Sequence, residues 1–130
     1  MKTQQLKKAV CAFILNLDGK VLTVSRKDDP NNIGLPGGKV DKTDLSEQQA
    51  LEREVLEETG FTVKVSISLY TAIEGAYSVT TYLAVIDKTK EYVQPDPKET
   101  GIVQMSDISS LLTSSFAEYN KELLKTLNLI

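Results

Sequence analysis

The sequence predicts an α/β fold in which a mixed β-sheet lies between helices. Three patterns indicate this fold. An apolar run from Ala9 to Leu17 is typical of a strand that is buried on both faces. Apolar and polar residues alternate from Phe61 to Leu69, which is the period of a half-buried strand. Between these two segments, residues 46–60 carry the start and stop signals of a helix.

The first strand is predicted to turn back on itself. Asp18-Gly19 is a hairpin-turn dipeptide, so residues 21–25 are expected to pair with the first strand. Arg26 follows the end of that second strand, either as a solvated edge charge or as a contact for a substrate phosphate. Residues 28–32 are rich in turn formers and predict a plain connection to the glycine-rich loop at residues 34–38.

The central helix has a clear beginning and end. Ser46 with Gln49 three residues later forms a capping box. Thr59-Gly60 ends the helix, since glycine suits the left-handed conformation just past a helix end.

The second half of the chain predicts strands, a long loop and two further helices. A strand is expected over residues 78–86, and Pro95 and Pro97 oppose regular structure in the loop at residues 88–100. A short strand at residues 102–105 and a short helix at residues 107–112 follow. The last helix is expected to open with a capping box from Ser115 to Glu118. Its predicted core stripe is Phe116, Tyr119, Leu123, Leu124 and Leu127.

Three carboxylates share one face of the central helix. At about 100° per residue, Glu54, Glu57 and Glu58 fall within an arc of about 100°. Each like-charge pair at this spacing weakens a helix by a few tenths of a kcal/mol, so the face is predicted to hold a cation. Carboxylate oxygens suit Mg²⁺, with Mn²⁺ as the other option. The plainer interpretation is a solvated helix face.

The residues around this face favour the cation. Gly37 and Gly38 let the backbone approach a ligand closely, and a carbonyl of that turn could add a metal ligand. Arg53 stands four residues before Glu57 and is predicted to hold the Glu57 carboxylate in a fork.

Residues Gly38 to Phe61 resemble the Nudix box of the Nudix hydrolases, whose pattern is G-x5-E-x7-R-E-U-x-E-E-x-G-U, where U is apolar. The second half matches throughout, as Arg53-Glu54-Val55-x-Glu57-Glu58-x-Gly60-Phe61. The first half departs from the pattern. Asp44 stands in place of glutamate, and eight residues rather than seven separate it from Arg53. This departure is expected to alter the loop more than the metal ligands.

The resemblance implies a Nudix-type α/β/α sandwich, with residues 1–130 as one domain. It also implies hydrolysis of a pyrophosphate bond in a nucleoside diphosphate linked to another group, or in a nucleoside triphosphate. Either Glu54 or Glu99 is the general base, because such enzymes often take a glutamate from the region of Glu99. The implied site residues are Arg53, Glu54 and Glu99 for catalysis, Glu54, Glu57, Glu58 and Gly38 for the metal, and Arg26, Gly37 and Gly38 for substrate.

Two other functions compete with hydrolysis. A Nudix-like sensor would bind a nucleotide without turnover, and an interaction domain would use the scaffold alone. Such sensors usually lose box glutamates, whereas this chain keeps all three, and the intact acidic face also argues against the interaction domain. The identity of the nucleotide and the oligomeric state, monomer or homodimer, stay open.

The composition limits the classes of partner, metal site and cellular location that the sequence predicts. The net charge is −3 and no basic tract is present, which disfavours nucleic acid as a partner. The chain has no histidine, so it has no histidine base or histidine metal ligand. Cys11 is alone, which excludes an intrachain disulfide and a zinc cluster. The polar start lacks a signal sequence and no membrane span is visible, so a cytoplasmic location is expected.

Overall fold

The computed structural model describes residues 6–96, 98 and 100–130. Among them, no helix is both long and apolar enough to cross a bilayer. The described elements, in chain order, are the strands β1 (Lys7–Phe13), β2 (Val21–Arg26), β3 (Asp29–Gly34) and β4 (Gly37–Lys39), the helix α1 (Glu47–Thr59), the strands β5 (Val63–Glu74), β6 (Tyr77–Ile86) and β7 (Val103–Ser106), a 3₁₀ helix (Ile108–Leu112) and the helix α2 (Ala117–Thr126).

The main sheet has four strands in the order β4-β1-β6-β5. β1 pairs parallel with β6 and antiparallel with β4, so the sheet is mixed, as predicted. A second sheet has the order β3-β2-β7 and is antiparallel.

Helices pack on both faces of the main sheet. Val10 of β1 lies in a buried cluster with Leu51 of α1, whereas Phe13 of the same strand lies in a cluster with Leu123 of α2. Because successive side chains of a strand point to opposite faces, α1 and α2 cover opposite sides. The predicted α/β/α sandwich is confirmed.

The first hairpin differs from its prediction. The turn forms, since the Asn16 N–H donates to the Lys20 carbonyl at 2.9 Å, but β1 already ends at Phe13. β2 is the central strand of the second sheet, and it pairs with the continuation of β1 at the Leu15–Val21 bridge, where the Leu22 N–H donates to the Ile14 carbonyl at 2.9 Å. Leu17 is fully exposed at the turn, so the prediction of a buried strand up to this residue is wrong.

The connection predicted at residues 28–32 is also wrong, because residues 29–34 form β3. Ser25 of β2 pairs with Ile33, and the register shifts next to Arg26. β3 is one of the two outer strands of its sheet, where Pro30 can lack an N–H donor without breaking the pairing.

The alternation predicted for residues 61–69 holds only at the start. β5 begins at Val63, and its register with β6 shifts between Val65 and Ser68 and again before Tyr70. Such irregularities reverse the faces to which the following side chains point. Ile67 is therefore 62% exposed, although the pattern predicts it to be buried.

The two α-helices begin differently. Ser46 caps α1, where its Oγ accepts from the Gln49 N–H at 3.0 Å, and Gly60 ends the helix at φ +81°, both as predicted. The capping box predicted at Ser115 is wrong, because Phe116 occupies the cap position of α2 and no side chain caps the helix. Phe116 is 49% exposed and so is not the core residue that the stripe predicts.

Candidate active site

The glycine-rich segment predicted as a loop at residues 34–38 runs into the short outer strand β4, which pairs directly with β1. Gly37 pairs with Cys11, and a Cβ on Gly37 would stand 2.6 Å from the Cys11 Cα and still closer to the Val10 carbonyl. Real Cβ atoms do not approach a backbone this closely. Only glycine therefore fits at position 37, and the reason is contact with β1.

Gly38 faces the helix instead. A Cβ at this position would lie 2.5 Å from the Glu54 Cδ and 2.6 Å from its Oε2. The missing side chain therefore lets the Glu54 carboxylate rest against β4. The sequence predicts that both glycines admit a ligand, and that role stays a prediction. The close contacts that the structure shows at these glycines are with β1 and with Glu54 of the same chain.

Arg53 makes a bidentate ion pair with Asp44. Its Nε donates to Asp44 Oδ1 at 3.0 Å and its Nη2 to Asp44 Oδ2 at 2.8 Å. Its Nη1 donates to Glu54 Oε1 at 3.0 Å, whereas Glu57 Oε1 is 3.5 Å away. The prediction that Arg53 holds the Glu57 carboxylate in a bidentate contact is wrong.

The turn before α1 explains why Asp44 can be reached. The Asp44 N–H donates to the Asp41 carbonyl at 3.0 Å, and the Asp41 N–H donates to Asp44 Oδ2 at 2.8 Å. This tight turn brings the shorter acid, one position displaced, to the guanidinium of Arg53. The hydrogen bonds from Arg53 hold the pKa of Asp44 below its usual range. The Asp44 side chain, 4% exposed, thus anchors Arg53 beside Glu54.

Two of the three helix carboxylates are partly buried. Burial raises the pKa of Glu54, and the hydrogen bond from Arg53 opposes the rise. Burial, followed by the charge of Glu54, raises the pKa of Glu58 to about 8, and the Gly37 N–H opposes this. In contrast, the Glu57 side chain is 59% exposed. Glu54 therefore lies against Gly38 of β4 and Glu58 is partly buried, whereas Glu57 is mostly exposed to water.

The donor set fits a divalent cation. Within the described ranges, no three acidic or cysteine side chains already surround an ion position. Arg53 Nη1 donates to Glu54 at 3.0 Å, whereas the mostly exposed Glu57 is 3.5 Å from the same nitrogen. Glu58 makes no ion pair in that same part of the chain, so a partly buried carboxylate lacks a counter-charge there. Carboxylate oxygens alone match the preference of Mg²⁺ or Mn²⁺.

A cleft opens on the α2 side of β4. It has a volume of about 200 Å³, and its lining includes Ala9, Cys11, Gly37, Gly38, Phe116 and Asn120. Its wall is mostly apolar. The same two glycines therefore border both the cleft and the carboxylates of α1.

Two polar side chains in this cleft have defined partners. Cys11 Sγ lies 3.0 Å from Thr81 Oγ1, and burial raises the pKa of its thiol to about 11, so the thiol is neutral. Asn120 Nδ2 donates to the Leu111 carbonyl at 3.0 Å and, more weakly, to Ser114 Oγ at 3.4 Å. The sequence prediction missed Asn120, although a polar residue beside the apolar stripe of α2 could have signalled it.

The remaining predicted site residues are not joined to this group. The Arg26 side chain is 64% exposed, and its ion pair within the described residues is with Asp28 at 3.9 Å. Glu99 lies outside the described residues. The roles of both residues stay predictions.

Comparison with known proteins gives one family and several relatives. The model of the NUDIX domain matches residues 5–127. A Bacillus subtilis (strain 168) protein, provisionally named 8-oxo-dGTP diphosphatase, is 43% identical over 57 residues, which are 44% of this chain and 37% of that protein. The structure of a UDP-X diphosphatase aligns with a TM-score of 0.78 at 22% identity, over 98% of this chain and 63% of that one. An ADP-ribose pyrophosphatase from Streptococcus suis 89-1591 aligns with a TM-score of 0.74 at 22% identity, over 95% and 91%. The chain thus spans less than two thirds of the first two proteins, and the structural matches support the fold.

Proposed function

The chain belongs to the Nudix hydrolase superfamily, and from this premise we propose that it hydrolyses the pyrophosphate bond of a small nucleotide with the help of a divalent cation. The similar proteins named above carry the names of enzymes for 8-oxo-dGTP, UDP-X and ADP-ribose. These three compounds share a nucleoside attached to a pyrophosphate bond. That shared chemistry is the proposed substrate class: a nucleoside triphosphate or a nucleoside diphosphate linked to another group.

One observation carries the proposal. The carboxylate of Glu54 rests against Gly38, and Gly38 also lines the cleft together with Gly37. A substrate with its organic part in the cleft would therefore bring its phosphates to the acidic face of α1.

In this proposal Glu54, Glu57 and Glu58 hold Mg²⁺ or Mn²⁺, with the Gly38 carbonyl as a further oxygen ligand. When bound, such an ion neutralises phosphate charge and lowers the pKa of a water molecule. The Glu57 side chain is 59% exposed, and it would leave its 3.5 Å contact with Arg53 to join the other two carboxylates. An acidic chain with a net charge of −3 needs this added positive charge to bind a diphosphate.

The chain's own residues would position and deprotonate the water. Asp44 holds Arg53, and Arg53 holds the Glu54 carboxylate at 3.0 Å. A carboxylate of restricted orientation can accept the proton of a water that attacks phosphorus, while the bridging P–O bond breaks and its electron pair leaves with the departing phosphate. Glu99 is the other candidate for this base, and Arg26 is the candidate contact for a phosphate.

The cleft suggests which part of the substrate it takes. Sites for whole small ligands have volumes of about 300–1,000 Å³, so a cleft of about 200 Å³ suits a single ring system. Asn120 is 3% exposed, and both of its observed hydrogen bonds are made by Nδ2. The amide oxygen is then left as an acceptor for a ring N–H, which nucleobases provide.

The sensor without turnover is the less favoured function, because α1 keeps all three carboxylates and the Asp44–Arg53–Glu54 contacts that orient one of them. A single domain spanning residues 1–130, the absence of nucleic-acid partners and a cytoplasmic location stay predictions.

The proposal is tested by incubating the chain with a panel of nucleoside triphosphates, oxidised nucleotides, nucleotide sugars and ADP-ribose in Mg²⁺, and by identifying the products. We expect at least one compound to be split at its pyrophosphate bond, with a nucleoside monophosphate among the products. EDTA should stop the reaction. A panel that is left intact, while the same nucleotides raise the melting temperature, would favour the sensor.

A further inference from the structure

Phe116 occupies an unusual position for a large aromatic residue. It stands at the N-cap of α2, where no side chain makes a capping hydrogen bond, and it is 49% exposed. N-caps favour Ser, Thr, Asp or Asn, and an apolar residue there costs about 1 kcal/mol. Ser114 and Ser115 precede it directly, yet neither caps α2. The start of α2 is therefore not arranged for the best helix cap.

The segment before α2 is hydrogen-bonded to β3. The Ser115 N–H donates to Asn32 Oδ1 at 3.2 Å, with Ser115 Oγ 3.4 Å from the same atom. Asn32 belongs to β3, which runs directly into Gly34 and Leu35 of the cleft lining. The contact with Asn32 therefore involves Ser115, the residue that the sequence predicts as the N-cap of α2.

The ring of Phe116 also has a fixed neighbour. It meets the ring of Tyr119 edge to face, with centroids 6.3 Å apart and an angle of 85° between the planes. Tyr119 is itself held, since its hydroxyl lies 2.8 Å from Thr81 Oγ1 and donates to the Val79 carbonyl at 3.3 Å. Phe116 is thus supported on one side while about half of its surface stays open.

We propose that the open part of Phe116 is a stacking surface for the ring of the substrate in the cleft. This inference rests on the proposed function. The lining of the cleft also includes Ala9 of β1 and Gly37 of β4, which are small enough for a flat ring to lie close to the sheet. Stacking of a base on an aromatic side chain is worth about 1–3 kcal/mol per base and tolerates different bases. Phe116 would therefore favour nucleotides over phosphate compounds without a ring.

The chain offers a direct optical test because it contains no tryptophan. Phe116→Trp then carries the sole tryptophan, and Leu17→Trp is the matched control at a fully exposed turn that does not line the cleft. The probe is the non-hydrolysable α,β-methylene analogue of dGTP with Mg²⁺, and inorganic tripolyphosphate is the probe without a ring. We expect saturable quenching of Phe116→Trp by the dGTP analogue alone, and no saturable quenching of Leu17→Trp by either probe.

Kinetics give a second readout on the best substrate of the panel. Phe116→Ala and Phe116→Leu should each raise KM about tenfold or more, with melting temperatures close to wild type because the residue is half exposed. A role in packing predicts instead that Leu restores the wild-type KM, and this result would overturn the inference. Unquenched Phe116→Trp in an enzyme that hydrolyses nucleotides would also overturn it. Quenching in a chain that hydrolyses no nucleotide would support the stacking site while rejecting the proposed function.

Discussion

Glu57→Gln and Glu58→Gln are each expected to lower kcat by about a hundredfold or more. A bound cation supplies several kcal/mol of charge stabilisation in such a reaction, and losing about 3 kcal/mol corresponds to roughly a hundredfold in rate. Gln keeps the shape of Glu but not its charge. Glu57 is exposed, and Glu58 is partly buried without a positive partner among the described residues. Neither substitution should therefore lower the melting temperature by more than a few degrees.

Glu52→Gln is the matched control for these variants. Glu52 is an exposed residue of the same helix, and no side-chain hydrogen bond or ion pair involves it in the part of the chain that the structure describes. It changes the net charge of α1 equally but should leave kcat unchanged. Near wild-type turnover of both Glu57→Gln and Glu58→Gln at saturating Mg²⁺ would remove these residues as metal ligands.

Gly37→Ala should lower the free energy of unfolding by about 3 kcal/mol or more, because its Cβ would clash with backbone atoms of β1, which cannot move like the end of a side chain. To admit the methyl group, β4 must move off β1 and weaken the pairing of Gly37 with Cys11. For a domain of this size the loss corresponds to a melting temperature lower by roughly 10 °C. Circular dichroism melts of the variant and the wild type measure it.

Two neighbouring glycines make this prediction specific. A Cβ on Gly34 meets nothing within 4 Å, so Gly34→Ala should melt near the wild type. The nearest atoms that a Cβ on Gly38 would meet belong to the Glu54 carboxylate, the end of a side chain rather than backbone, so Gly38→Ala should destabilise the fold less than Gly37→Ala. Gly38→Ala should nevertheless lower kcat by about tenfold to a hundredfold, since small misplacements of a catalytic group are costly. Equal melting temperatures for Gly37→Ala and Gly34→Ala would contradict the close packing of β4 on β1.

The sequence predicted the parts of this site that depend on near neighbours. The cap at Ser46, the end at Gly60 and the carboxylates of α1 all lie within one helix and its two ends. Local spacing is enough to predict them, because hydrogen bonds at helix ends join residues that are close in sequence. The mixed sheet followed from the order of such elements.

Distant partners account for the predictions that were wrong. Ser115 was predicted to cap α2, but it is instead hydrogen-bonded to Asn32, which is 83 residues away in the sequence. Arg53 binds Asp44, nine residues earlier, because the turn before α1 brings that carboxylate to the guanidinium. The four-residue spacing of Arg53 and Glu57 does not indicate this contact. The cleft also needs tertiary structure, since it joins β1 with residues of α2 that are more than 100 positions later.

The proposed function requires that the carboxylates of α1 hold a divalent cation in the folded chain. Thermal melting of the wild type and of the Glu54→Gln/Glu57→Gln/Glu58→Gln variant, in MgCl₂ and in NaCl of equal ionic strength, tests it most directly. An ion that binds only the folded state adds about 2.7 kcal/mol at a hundredfold excess over Kd, or roughly 5 °C or more in this domain. We expect this Mg²⁺-specific rise in the wild type and its loss in the variant, which should melt at or above the metal-free wild type because like charges have been removed. Equal shifts in the two salts, or a Mg²⁺-specific shift that survives in the variant, would contradict the account.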